Sequence, residues 1–280
     1  MTMFVAKTVT ALVIAASVGG TAAPGNEAAY ENKAEIESAR AACMKEQGLK
    51  YLPEPVVKRK RTAEEKARLA GDHEAMRAYR AKYGFGVWSR LVFPDDPAVN
   101  AGSGESRNNK ILMSLSPAEL KAYRAADDKC FAKAVKVVLG KTVTSQADLL
   151  DQVNAAERKK LRALDADKKI AGLAKEFAGC LGIKETRPSA LAARGPAAFR
   201  KEATEVAKTR HKGSLPEGLK DEDAMMPDLT PEQARPYLDK EVEAALADLK
   251  CGKAFYAVYS PRARSVQEQV YREYALDFAL

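Results

Sequence analysis

The sequence predicts an all-α protein of two related halves, each closed by its own disulfide and joined by a long helical segment. Three observations predict it. Ala, Lys, Glu, Arg and Leu, the strong helix formers, recur throughout, and strand-like runs of Val, Ile and Thr are almost absent. A helix start of the form leucine, Ser or Thr, proline occurs twice, followed each time by a tyrosine and later by Lys-Cys. Four cysteines stand far apart with no C-x-x-C pair among them. At 280 residues the chain is long for one domain and comfortable for two. Hydrophobic residues make up 46% and aromatics only 7%, so the core is expected to be aliphatic.

Residues 1–23 read as an export signal. Lys7 supplies the positive charge, Val9 to Val18 an apolar run, and Gly19, Gly20, Thr21, Ala22 and Ala23 the small residues before cleavage. The run is too short to span a bilayer as a helix. The first half is expected over 24–144. Its opening helix runs from Glu27 to Gln47 and stops at Gly48, and an extended stretch from Leu49 to Val57 carries Pro53 and Pro55. Thr62 and Glu65 have capping-box spacing, which starts a helix expected to reach Tyr83. Glycines and prolines then mark residues 84–109 as loop. Ser116, Pro117 and Glu119 fit the cap, first and third positions of the next helix, with Leu115 and Leu120 as its staple.

A helical connector is expected over 145–169, with a break around Asp165 to Asp167. The second half, 170–259, opens on a helix ending at Cys180 and Gly182, as Cys43 precedes Gly48. A short helix is expected near 196–212, then a capped start at Thr230, Pro231 and Gln233. Pro236 should kink or restart that helix. Ser260-Pro261 reads as the start of a separate docking helix over 260–280, with Val266, Val270 and Tyr274 on one stripe.

Tyr123 lies 7 residues before Cys130 and Tyr237 lies 14 before Cys251, so in both cases the cysteine returns to a similar helix face. The two starts therefore read as a duplication. Four cysteines allow three pairings. A duplication whose copies each close on themselves selects Cys43–Cys130 and Cys180–Cys251; a Cys43–Cys180 link would mean one interleaved bundle instead.

Cys43-Met44-Lys45-Glu46-Gln47-Gly48-Leu49-Lys50-Tyr51 and Tyr83-Gly84-Phe85-Gly86 carry a family resemblance. With Ser116, Tyr123 and Cys130 following, the chain resembles a group of exported actinobacterial proteins, many of them lipoproteins, built of two cysteine-containing halves. The group has no established activity, so the resemblance implies architecture and export alone. This chain lacks the cysteine that would take a lipid anchor, and Cys180-Leu181-Gly182 shortens the second segment.

The net charge of +8 favours an anionic envelope polymer or an envelope protein as partner; in an exported chain, nucleic acid is not expected. Lys58 to Arg61 forms the one dense basic cluster. The spread of the cysteines disfavours zinc and redox centres, and no cofactor or metal site is expected. His73 and His211 are isolated in charged stretches, away from any nucleophile-elbow pattern. Gly102-Ser103-Gly104 lacks the Lys-Ser/Thr of a phosphate-binding loop. The alternative to a non-catalytic binding or scaffold protein is a wall-acting glycoside hydrolase using Asp95, Asp96 and Glu105. The candidate binding residues are Tyr83, Phe85, Trp88 and Arg90, with core packing the competing role for these aromatics.

Overall fold

The computed structural model describes residues 24–56, 58, 61–100, 106–210 and 226–276. The export segment, Glu105, His211 and the 102–104 glycine loop lie outside them. The described residues form helices and no strands. In chain order they are α1 (Pro24–Glu46), α2 (Ala63–Leu69), α3 (His73–Tyr83), α4 (Ser89–Val92) and α5 (Asn109–Met113). There follow α6 (Pro117–Leu139), α7 (Gln146–Leu164), α8 (Lys168–Leu181), α9 (Pro188–Arg210) and α10 (Pro231–Glu273).

All three capping boxes form. Thr62, Ser116 and Thr230 each accept from the backbone N–H three residues on, while Glu65, Glu119 and Gln233 reach back to the cap's own N–H. Gly140 and Gly182 end α6 and α8 in the left-handed region, where a side chain is disfavoured. The break near Asp165 is real: Asp167 caps α8 by accepting from the Lys169 and Ile170 amides, both at 3.0 Å.

Four expectations are corrected. The helix expected from Thr62 to Tyr83 is two, because Gly71 turns the chain at φ +82° and Asp72 caps α3. A side chain at Gly71 would meet the Tyr256 carbonyl at 2.4 Å, so this turn is seated directly on α10. The 84–109 loop contains the short helix α4 and runs into the short helix α5 at Asn109. The short helix near Pro196 is the long α9, with Pro196 inside it. Finally, neither Pro236 nor Ser260-Pro261 interrupts α10, which runs unbroken for 43 residues. Buried residues on both sides of each proline, Ala234 and Leu238, then Tyr259 and Val270, keep both flanks packed, so the helix continues past the missing N–H.

The two bridges are Cys43–Cys130 and Cys180–Cys251, both with Cα atoms 5.5 Å apart. The first ties α1 to α6 and the second ties α8 to α10. Around the second lies a core of Ile170, Phe177, Leu191, Leu249, Phe255 and Tyr256. Around α1 and α6 lies a second, of Ile36, Phe131, Ala134, Val135 and Leu149. Although α3 and α4 fall between α1 and α6 in sequence, both pack on α10. The end of α10 is docked as well, with Val270 and Tyr271 buried against Val153 of α7. Among the described residues no helix is long and apolar enough to cross a membrane, and the paired cysteines fit an oxidising, extracellular setting.

Candidate functional site

Each bridged unit contains a buried ion pair in the same register. Asp127 and Asp248 both stand three residues before the second cysteine, in the pattern Asp-x-Lys-Cys. In the first unit Nε and Nη2 of Arg40 donate to the two carboxylate oxygens of Asp127 at 2.6 and 2.5 Å. Burial works against the Arg40 charge, but Asp127 outweighs it and keeps the guanidinium protonated. In the second unit Arg80 donates to Asp248 at 2.5 Å and to the Ala245 carbonyl at 2.8 Å. Each guanidinium also lies over two rings, Arg40 over Tyr51 and Phe131, Arg80 over Phe85 and Tyr256. Sequence reading found the repeated Lys-Cys but missed these aspartates, whose shared offset was the available signal.

The Tyr83-Gly84-Phe85-Gly86 segment is organised by one carboxylate. Glu241 of α10, with no exposed surface, accepts from the amides of Phe85, Val87 and Trp88 at 2.8, 2.9 and 2.8 Å. Burial pushes its carboxyl upward and the three amides pull it back. Gly84 sits at φ +61°, and a side chain there would meet the Glu241 methylene at 2.6 Å, so the turn requires glycine twice over.

That cradle decides the fate of the candidate binding residues. Trp88 is fully buried, stacked on Tyr237 at 4.3 Å, with its indole N–H donating to Glu202 at 3.1 Å. Tyr83 is buried and its hydroxyl donates to Asp96 at 2.7 Å. Both belong to the core. Arg90 is exposed on α4, and Phe85 lines a cavity. Asp96 accepts from Tyr83, the Ala98 amide and Lys82, which together hold it at about 2. A carboxyl so stabilised as an anion is a poor proton donor. His73 lies beside Glu74 at 2.9 Å on the surface of α3. Among the described residues no group of His, Cys, Asp and Glu side chains could hold a metal ion.

The cavity that Phe85 reaches, about 310 Å³, lies where α2 and α3 meet α7, α9 and α10. Phe85, Tyr79, Tyr256 and Tyr259 form its aromatic walls, and Arg68, Arg80 and Arg264 stand against one carboxylate, Glu157. Arg68 lies over the Tyr79 ring at 4.0 Å and, among the described residues, has no carboxylate partner. Arg264 donates through Nε to Glu268 at 2.9 Å and through Nη1 to Gln267 at 2.5 Å, while its buried Nη2 has no partner. The hydroxyls of Tyr79 and Tyr259 are likewise without a partner among the described residues. Burial raises both, Tyr259 to about 12, so both remain donors. Burial also raises Glu157.

Arg264 also lines a neighbouring cleft with Arg61, Lys66 and Glu268, so the basic lining continues outward. The larger cavity of the first unit, about 480 Å³, differs: Arg40 and Arg124 face Asp127 and Glu54. Its polar groups are largely spent on each other, with Glu54 accepting from Ser106 and Asn108 at 2.5 and 3.0 Å. No family model, no curated protein and no solved structure matches the chain.

Proposed function

We propose that this chain is an exported binding protein of the cell envelope, without catalytic activity, which holds an anionic partner at the α2–α3–α10 junction. The observation that carries the reading is the lining of the cavity and adjoining cleft. Arg61, Lys66, Arg68, Arg80 and Arg264 line them with two carboxylates, Glu157 and Glu268, Arg80 being paired with Asp248, and the aromatic walls supply the anchors on which recognition is usually built. The net charge of +8 favours the same sign of partner, an anionic wall polymer or an acidic envelope protein. The two bridges and the apolar run before Ala23 support export, and the resemblance to exported two-half actinobacterial proteins supports the same compartment.

The test is sedimentation of purified mature protein with isolated cell walls over a range of salt. Retention should fall steeply with ionic strength, and Lys66→Ala with Arg68→Ala should release protein at lower salt. Retention indifferent to both substitutions would remove the junction from the reading. Turnover of wall polysaccharide that disappears in Asp95→Asn would replace it with the hydrolase.

A further inference from the structure

The cavity at the junction is specific about its occupant. We infer that it binds a compact organic anion with a flat apolar body, the ring lying among Phe85, Tyr79 and Tyr259 and the carboxylate or phosphate meeting Arg68 and Arg264. This rests on the reading of the junction as the recognition site and names the class of molecule it takes.

Arg68, Arg264, Tyr79 and Tyr259 all line this one space; Nη2 of Arg264 is buried without a partner, and the Arg68 guanidinium has no carboxylate partner among the described residues. Buried donors are almost always satisfied, by protein, water or ligand, because an unmet one costs the full desolvation of the group. Elsewhere Glu241 meets three amides and Asp127 meets Arg40 bidentately, and among the described residues the Ser89 hydroxyl is the one other buried side-chain atom left unpaired. An acceptor-rich group entering the cavity would complete the set. The donors are charged or aromatic hydroxyls, which favours an anion over a neutral carbonyl.

The walls set the remainder of the ligand. Ring faces favour flat partners in stacked or edge-on contact. A volume of about 310 Å³ is at the small end of ligand sites, which admits one ring with a short substituent and excludes a folded polymer. A polymer could place only a terminal group here, with its length along the cleft of Arg61 and Lys66.

The probes are phenyl phosphate and benzoate, with inorganic phosphate and benzyl alcohol as controls, titrated into the folded mature protein by calorimetry and amide NMR. Both aromatic anions should bind and shift residues of α3 and α10, and each control should bind more weakly by about tenfold or more, the scale of one lost charge-assisted hydrogen bond. Arg68→Ala should lower affinity for phenyl phosphate by about tenfold, and Tyr259→Phe, which keeps the ring, should lower it less. Ala192→Phe, which fills the cavity from α9 without altering charge, should abolish binding; unchanged circular dichroism and melting confirm that each variant is folded.

Three results would overturn the proposal. Inorganic phosphate could bind as well as phenyl phosphate with Ala192→Phe indifferent, which would mean a surface charge effect. Benzyl alcohol could match benzoate, which would mean an apolar pocket alone. No probe could shift cavity residues while wall retention still depends on Lys66 and Arg68; the junction would then recognise a polymer without this ligand. Loss of wall retention as well would defeat both readings.

Discussion

Replacing Glu241 with alanine should destabilise the protein more than any other single change at the α3–α4 turn. The carboxylate accepts from three backbone amides, two on one oxygen and one on the other. Alanine removes both oxygens, and each buried amide left unmet costs about 1–3 kcal/mol, so the loss is about 3 kcal/mol at the least. Glutamine is the informative comparison. Its carbonyl oxygen can keep the Phe85 and Val87 amides, but its NH₂ then faces the Trp88 amide, donor against donor. One unmet group, at about 1–3 kcal/mol, is the expected cost. Water entering the space would reduce the alanine value, yet the ordering should persist. Urea unfolding followed by Trp88 fluorescence measures both. Trp88 is the one tryptophan of the chain and sits on the turn in question, so its emission should also shift in the folded state. Equal stabilities for the alanine and glutamine variants, or losses under about 1 kcal/mol, would refute the view that this carboxylate holds the turn.

Three further outcomes can be checked directly. Cys43→Ser should free Cys130 and leave Cys180–Cys251 intact by non-reducing peptide mapping. Opening a loop with a sequence separation of 87 should cost about 4.6 kcal/mol in the chain-entropy estimate, and measured losses are often smaller. Under mild reductant the second bridge should open first, since Cys180 is exposed while Cys130 is fully buried; timed thiol alkylation with mass spectrometry reads the order. Asp96 is held at about 2 against an ordinary 3.8, so its contribution to stability is complete above the ordinary value and is lost as pH falls through about 2. Asp96→Asn should flatten that part of an acid-unfolding curve, and an unchanged curve would show that its three partners contribute nothing.

What could be read from sequence was local chemistry. The caps at Thr62, Ser116 and Thr230 rest on side chains within three residues of the backbone they satisfy, so spacing alone reveals them. The bridge pairing was legible because the two Lys-Cys helices repeat. Less legible was anything decided by packing across the chain. Pro261 after Ser260 looks the same whether it starts a helix or sits inside one, and only the burial of Tyr259 and Val270 on either side distinguishes the cases. Trp88 offered aromatic area on a glycine-rich segment, which fits a binding loop and a core equally. What settles it, the Glu241 carboxylate, lies 153 residues away. The cavity was invisible for the same reason: Arg68, Tyr79, Glu157 and Arg264 have no common local pattern, and four helices are needed to bring them together.

The length of α10 has a consequence for how the chain comes apart. At 1.5 Å per residue its 43 residues span about 65 Å. It packs on α1, α2, α3, α4, α7, α8 and α9, all of which precede it in the sequence. Without α10 in place, α3, α4 and α8 therefore lack the helix on which each packs. A protease cutting before residue 230 and releasing α10 would strip Leu249, Phe255 and Tyr256 from the core of Ile170, Phe177 and Leu191. Copies cut there would be soft targets for further degradation.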